Sequence, residues 1–210
     1  MNDACDFKLA QNIGASCDNP IVQGLKNKGY LINYDDIDFD SVQKDESNSS
    51  IIKALTLLAG KKAYSAYVPG KTPFTGTKSE LVTGTYTNKF KKTASIVVLD
   101  SGPDVTKNVI NNLANGKFVF IMENKYQGEE NKNTFEIYGL EQGLTASEMS
   151  NDKYSEDTDG GWAVTLVEEN APSAGIFMFN TDIKTTRKAL ESLLTGTVVK
   201  DDKQNEGEQK

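Results

Sequence analysis

The run from Gly116 to Phe179 limits what this chain can fold into more than any other part of it. It opens Gly-Lys-Phe-Val-Phe-Ile-Met-Glu, crosses a polar loop, and continues as Phe135-Glu136-Ile137-Tyr138-Gly139-Leu140-Glu141-Gln142-Gly143-Leu144. A second acidic loop ends in Asp159-Gly160-Gly161, and Trp162 starts another apolar run. Short apolar segments rich in aromatic and β-branched residues, bounded by Gly, Asn, Asp and Ser, read as strands. This predicts strands over Lys117 to Asn124, Asn133 to Gly139, Trp162 to Glu168 and Gly175 to Phe179. In the second, Phe135 and Ile137 alternate with Glu136 and Tyr138, the pattern of a half-buried strand. A Gly-Leu-x-x-Gly-Leu turn sits in the middle.

Upstream, residues 1–28 read as irregular, with turns at Asp18-Asn19-Pro20 and Gly24. Gly29 to Tyr34 reads as a short strand, Asp35 to Asp40 as an acidic turn and Ser41 to Ser50 as a polar loop. Ile51, Ile52, Leu55 and Leu58 fit helical spacing too. Gly60 ends that run, however, and a second extended segment, Ala63 to Val68, follows at once. The pair therefore predicts a hairpin turning on Ala59-Gly60-Lys61-Lys62. Residues 69–79 contain two prolines and two glycines, which predicts a loop with little regular pairing. Glu80 to Phe90 and Lys92 to Leu99 predict a long hairpin turning near Asn88 to Lys92, one half solvated or facing a partner or a lumen.

A helix follows. Ser101 can cap it, Pro103 sits near the first turn and Asp104 suits the positive end of the dipole. Val105, Val109, Ile110 and Leu113 form one apolar stripe, and Gly116 suits the C′ position. A second helix starts at Asp182, with Ile183, Leu190 and Leu194 on one face and Gly196 at its end. The expected organisation is an irregular segment over 1–28, one β-rich domain over 29–199 and a charged, disordered tail over 200–210. The order of elements is α+β, mainly β, rather than doubly wound.

Composition removes several function classes. Histidine is absent, which takes away the commonest general base, the usual metal nitrogen and every Ser-His or Cys-His pair. Cys5 and Cys17 are the two thiols, too few for a zinc site, and read as buried or loop thiols kept reduced. The net charge is −7, and Arg187 is the single arginine among 23 basic residues. Sequence-specific nucleic-acid recognition relies on basic patches and bidentate arginine, so it is not expected. Mild negative charge does suit a wall past which DNA slides, because like charges repel. No apolar run approaches the roughly 20 residues that span a bilayer. The polar, acidic Met1–Asp6 segment is unlike a signal peptide, which predicts a soluble intracellular product.

The motifs that carry chemistry are incomplete. Gly70-Lys71-Thr72 matches the end of a phosphate-binding loop, but Ser65 occupies the position of its first glycine. Asp36, Asp38 and Asp40 alternate as in a calcium loop, yet Ser41 and Ser47 stand where Gly and the closing Glu belong. Ser155 to Leu166 fails at the first and last ligand positions. Glu129-Glu130 and Glu168-Glu169 offer paired acids, as a glycosidase would, but each flanks a strand end and reads as solvated charge. Trp162 reads as a strand-entry aromatic packing on the core or on a neighbouring subunit, rather than as a stacking platform. Asn48-Ser49-Ser50 is a glycosylation triplet without a secretory context. No catalytic, cofactor-binding or metal-ligating residue emerges, and no enzyme activity is expected.

The order of acidic strand start, hairpin, Pro/Gly loop, long Thr-rich hairpin, helix and strands around a Gly-Leu turn resembles the bacteriophage tail tube (major tail) protein family. Cys17-Asp18-Asn19-Pro20, Gly24-Leu25 and Leu31-Ile32-Asn33-Tyr34-Asp35-Asp36-Ile37-Asp38 are similar to segments of structural proteins of phages infecting Bacteroidetes. The resemblance covers roughly 13–180; the C-terminal helix and tail are extra to it. It implies a β-sandwich or partial barrel with a flanking helix, in subunits that form rings, usually hexameric, stacking into a tube for DNA. It further implies that Glu80 to Leu99 lines the lumen, with Thr83, Thr85 and Thr87 as a polar face. Pro69, Gly70, Pro73 and Phe74 would belong to a loop, Pro69 to Ser79, reaching the adjacent ring, as would the N-terminal segment. The implied partners are other copies of the chain, other tail proteins and DNA bound without sequence preference, with no membrane. The implied location is the virion tail, assembled in the bacterial cytoplasm. A tail terminator, head–tail connector or other single-ring protein of the same fold remains an alternative, and so does a carbohydrate- or surface-binding β-sandwich module.

Overall fold

The computed structural model describes residues 8–14 and 17–196; the tail over 200–210 and Cys5 lie outside them. The strands are β1 (Leu25–Asn33), β2 (Gln43–Lys44), β3 (Ile51–Ala54), β4 (Tyr64–Tyr67), β5 (Phe74–Val82), β6 (Lys89–Val98), β7 (Phe118–Asn124), β8 (Phe135–Tyr138), β9 (Thr145–Asn151), β10 (Trp162–Ala171) and β11 (Ile176–Met178). A helical stretch between β6 and β7 comprises α1 (Pro103–Val105), a π-helical turn (Thr106–Ile110) and α2 (Asn111–Asn115). The C-terminal helix α3 is Ile183–Thr195. The chain is α+β and mainly β.

Strand β7 explains the layering. Its side chains from Phe118 to Glu123 are all buried, so it must be covered on both faces. Phe118, Phe120 and Met122 point one way, into a cluster with Ala94, Ile96, Val164 and Leu166 of a second sheet. Val119 and Ile121 point the other way, into a cluster with Leu190 and Leu193 of α3. The result is three layers: α3, a seven-stranded sheet (β2-β3-β11-β8-β7-β1-β4) and a four-stranded sheet (β5-β6-β10-β9). The sheets are open, and among the described residues no barrel closes. Pairing is antiparallel except between β11 and β3. Gly29 lets the sheets approach: a Cβ there would lie 2.7 Å from the Phe74 ring and 2.9 Å from the Phe120 ring.

Ion pairs dock the outer layer. Glu123 follows Ile121 on the α3 face and accepts both guanidinium nitrogens of Arg187, at 2.7 and 2.6 Å, plus Lys26 Nζ at 2.8 Å. Burial pushes the Glu123 carboxyl up, but Arg187 and Lys26 outweigh it and hold the group below its ordinary range. Asp182 caps α3 by accepting the Thr185 N–H, and Gly196 ends the helix at a φ of 69°.

Several expectations need correction. Ile51–Leu58 and Ala63–Val68 are not a hairpin: β3 pairs with β2 and β11, and β4 pairs with β1. Residues 69–79 are not all loop, since β5 starts at Phe74 and pairs with β6 throughout. The long hairpin exists but turns over 83–88, earlier than Asn88 to Lys92. Pro and Gly density misplaced that boundary because β5 is an edge strand, where such residues are tolerated. The polar strand β9 lacked an apolar signature and was not anticipated. At the first helix Gly102 rather than Ser101 is the cap, and Gly116 is extended (φ −92°) rather than left-handed. Glu168 is no solvated strand-end charge; it is fully buried.

Candidate functional site

Chemistry gives no centre to build on, so the candidate site is a surface. Among the described residues no group of three or more Cys, Asp or Glu is placed to hold a metal ion. The four-stranded sheet has one face against the core and one turned outward. On β6, Lys92, Ala94 and Ile96 are buried inward, while Thr93 and Ser95 alternate to the outer face. On β10, Val164, Leu166 and Glu168 point inward, and Thr165 outward. Outer-face hydroxyls bond across strands, with Ser95 Oγ 3.2 Å from Thr165 Oγ1. Outer charges pair locally: Lys91 with Glu169 at 2.8 Å and Lys78 with Glu80 at 2.7 Å. Such surface pairs contribute little stability, and by strand alternation Val97, Ala163 and Val167 lie on the same face.

Among the described residues both edges of this sheet are unpaired and polar: nine-residue β5, exposed from Thr75 to Ser79, and seven-residue β9. Every pairing inside the sheet is antiparallel. With four strands, an even number, β5 and β9 run in opposite directions. The free edges of β9 and β5 therefore run in opposite chain directions, the arrangement an antiparallel pairing needs. Long free edges are liabilities that pairing removes.

Beneath this sheet lies a buried ionic anchor. Glu168 Oε2 accepts the Gly139 N–H at 2.8 Å, and Oε1 accepts those of Gln142 at 2.8 Å and Glu141 at 3.1 Å. The Gly-Leu-x-x-Gly-Leu turn is thus wrapped around one carboxylate. Gly139 is required: its φ is +86°, and a Cβ would lie 2.4 Å from the Phe118 carbonyl oxygen. Lys92, directly opposite Glu168 on β6, places Nζ 3.6 Å from Glu168 and 3.5 Å from Glu141, with no hydrogen bond of its own. Glu141 in turn accepts the Ser173 N–H at 3.1 Å and hydroxyl at 2.6 Å, tying the β10–β11 connection to the turn. Burial raises the neighbouring Glu136 carboxyl, against the pull of the Asn124 amide and the Lys92 charge. Two acidic residues and one lysine converge here, but around backbone amides rather than an open cleft. The arrangement holds a turn in place.

The residues singled out from sequence land as follows. Thr83, Thr85 and Thr87 are all exposed in the 83–88 hairpin tip, not along one strand face; the outer-face hydroxyls belong to Thr93, Ser95 and Thr165. Pro69 and Gly70 are exposed in a tight turn, but Pro73 and Phe74 are buried, and Phe74 packs on Phe120 with ring centroids 5.3 Å apart. Gly70-Lys71-Thr72 spans that turn and ends where Thr72 Oγ1 donates to the Lys26 carbonyl. Asp36 bonds to Lys61 and Asn33 at 2.8 and 2.7 Å, turned away from a calcium-loop role. Glu129 and Glu130 are exposed. Trp162 packs against the inter-sheet cluster. Cys17 is an exposed free thiol. The Glu168 anchor was missed from sequence; its one available signal was the opposite charge of Lys92, visible only once β6 and β10 are known to pair.

One further surface is a groove of about 1150 Å³ between β4, the end of β6 and the helical stretch. Its floor includes Leu31, Ile96, Leu113 and Phe118, and its rim Tyr64 and Val109. No helix among the described residues is long and apolar enough to cross a membrane. No protein-family model matches the chain, and no curated protein or solved structure matches it either.

Proposed function

We propose that this chain is a virion structural protein: a bacteriophage tail tube subunit whose copies close into rings, hexamers by the family's habit, that stack into a conduit for DNA. The observation that carries this reading is the four-stranded antiparallel sheet with two free polar edges of opposite direction. In a head-to-tail ring, β9 of each copy pairs with β5 of the next, and the sheets join into one closed barrel with no edge left. The outer face, with Thr93, Ser95 and Thr165 and locally paired charges, would then line the lumen. Lys78 and Lys91 on this face are each paired with a glutamate, which leaves them less available to DNA phosphates and suits sliding. The resemblance over roughly 13–180 supports the same reading, with the virion tail as location and other tail proteins as end partners.

Negative-stain microscopy and light scattering of the purified chain test it. Rings or tubes are expected, and open-ended tubes identify a tube subunit rather than a single-ring terminator or connector. A proline at Glu148 on the free β9 edge should block ring closure while circular dichroism shows the fold retained. A strictly monomeric species at high concentration would refute the proposal.

A further inference from the structure

The described residues end at Gly196, at a specific place on the molecule. The Leu193 carbonyl accepts the Ala63 N–H at 2.8 Å, and a Cβ on Gly196 would lie 3.1 Å from the Lys61 carbonyl oxygen. The end of α3 is thus stitched to residues 61–63, immediately before β4 begins at Tyr64. Strand β4 is the last strand of its sheet and, among the described residues, pairs with β1 alone. Three of its four residues are exposed, Tyr64 and Tyr67 included. We infer that the chain's own segment Thr197-Val198-Val199-Lys200 lies parallel to β4 along this free edge and covers the adjoining rim of the groove.

Four observations favour this occupant. First, the chain leaves α3 at the right end and is already turning. Arg187 bonds to Glu123 near the Leu25 end of β1, Glu191 reaches Lys28 at 3.4 Å, and Gly196 reaches Lys61, so α3 runs in the direction of β1. Strand β4 is antiparallel to β1, so a chain that follows β4 must reverse after the helix. Gly196, at a φ of 69°, turns the chain out of the helix. Second, Thr197, Val198 and Val199 are all β-branched and suit an extended strand, and the unpaired backbone groups of β4 are a template for one. Parallel pairing already occurs in this sheet, between β11 and β3. Third, in a four-residue register Asp201 and Asp202 fall beyond Tyr67, beside Val68, whose bridge partner Lys71 is exposed and of opposite charge. Fourth, the other candidate segment lies elsewhere. The chain before β1 keeps Ile21 and Val22 exposed, and none of its described residues lines the groove. The added strand concerns one chain by itself. It leaves β5 and β9 of the other sheet free, so it stands or falls separately from ring formation.

Hydrogen exchange on the full chain and on a version ending at Gly196 reads the edge. The β4 amides that face away from β1 should exchange about tenfold or more faster in the shortened chain, the equivalent of one valine's lost burial. Val198→Asp with Val199→Asp in the full chain should do the same, whereas Val198→Ile with Val199→Ile should keep the protection. Equal exchange in the full and shortened chains would overturn the inference. So would protection that survives the shortening and disappears when residues 1–22 are removed, because the N-terminal segment would then hold the edge. A cross-link separates the chain's own segment from that of a second copy. In the full chain carrying Cys5→Ser and Cys17→Ser, Tyr67→Cys and Lys200→Cys place two thiols opposite each other in the proposed register, within disulfide reach. Oxidation should give a closed monomer on a non-reducing gel. Covalent dimers and higher oligomers in its place would assign the edge to another copy and overturn the inference.

Discussion

Removing Glu168 should cost far more than removing Lys92, although the two face each other as an ion pair. Glu168 is the acceptor for the N–H groups of Gly139, Glu141 and Gln142. Glu168→Leu leaves three amides without acceptors, that of Gly139 buried and those of Glu141 and Gln142 part-buried, at up to about 1–3 kcal/mol each, and strands the Lys92 charge. Partial relaxation of the turn keeps the sum below full additivity, so about 4–6 kcal/mol is expected. That is a large share of a typical stability of about 5–15 kcal/mol. Glu168→Gln keeps one carbonyl acceptor and should cost about 2–3 kcal/mol. Lys92→Met leaves every hydrogen bond of Glu168 and Glu141 in place, because Nζ makes none; the three N–H donors still compensate the Glu168 charge, so the cost should fall below the about 3–5 kcal/mol of an uncompensated buried charge, to about 1–2 kcal/mol. Urea unfolding at pH 7 reads the difference: at about 2 kcal/mol per molar, Glu168→Gln lowers the midpoint by about 1–1.5 M. Hydrogen exchange should show protection lost at Gly139, Glu141 and Gln142 in the Glu168 variants alone. If Lys92→Met costs as much as Glu168→Gln, or those amides stay protected without Glu168, the amide-anchor reasoning fails.

The remaining predictions concern the two cores. The Tyr30 hydroxyl is buried without a hydrogen-bond partner, and burial, with Glu191 adding, pushes it up to about 12; Tyr30→Phe should leave stability unchanged or raise it by up to about 1 kcal/mol in thermal melts. Gly29→Ala should destabilise by about 1–3 kcal/mol, because its methyl would meet the Phe74 and Phe120 rings; an unchanged melting temperature would show the rings free to move. Because Glu123 is held below its ordinary range by Arg187 and Lys26, the stability it adds is complete above the unfolded value of about 4.3 and is lost as pH falls through the lower folded one. Arg187→Met should therefore be clearly less stable than wild type at pH 7, with the gap shrinking between pH 5 and 3; a gap constant over that range would contradict this account.

Elements whose signal is local were legible in the chain. The continuous apolar run of β7 announced a strand, and α3 was bracketed by Asp182 and Gly196, each acting through its own backbone neighbourhood. The Gly-Leu-x-x-Gly-Leu turn was visible because Gly139 needs a positive φ that few other residues adopt. Their pairing partners are set by contacts between residues far apart in the chain. Ile51–Ala54 and Tyr64–Tyr67 look like hairpin partners because they are adjacent in sequence, yet non-local hydrogen bonds to β11 and β1 claim them. The Thr-rich run of 83–87 suggested a polar face, but the register of β5 on β6 puts it at the hairpin tip and gives the face to Thr93, Ser95 and Thr165. Glu168 shows the limit most plainly. Its charge is legible in the chain, but its burial depends on three amides some 26 to 29 residues away, and no local pattern records a contact made only when the sheets close over the turn.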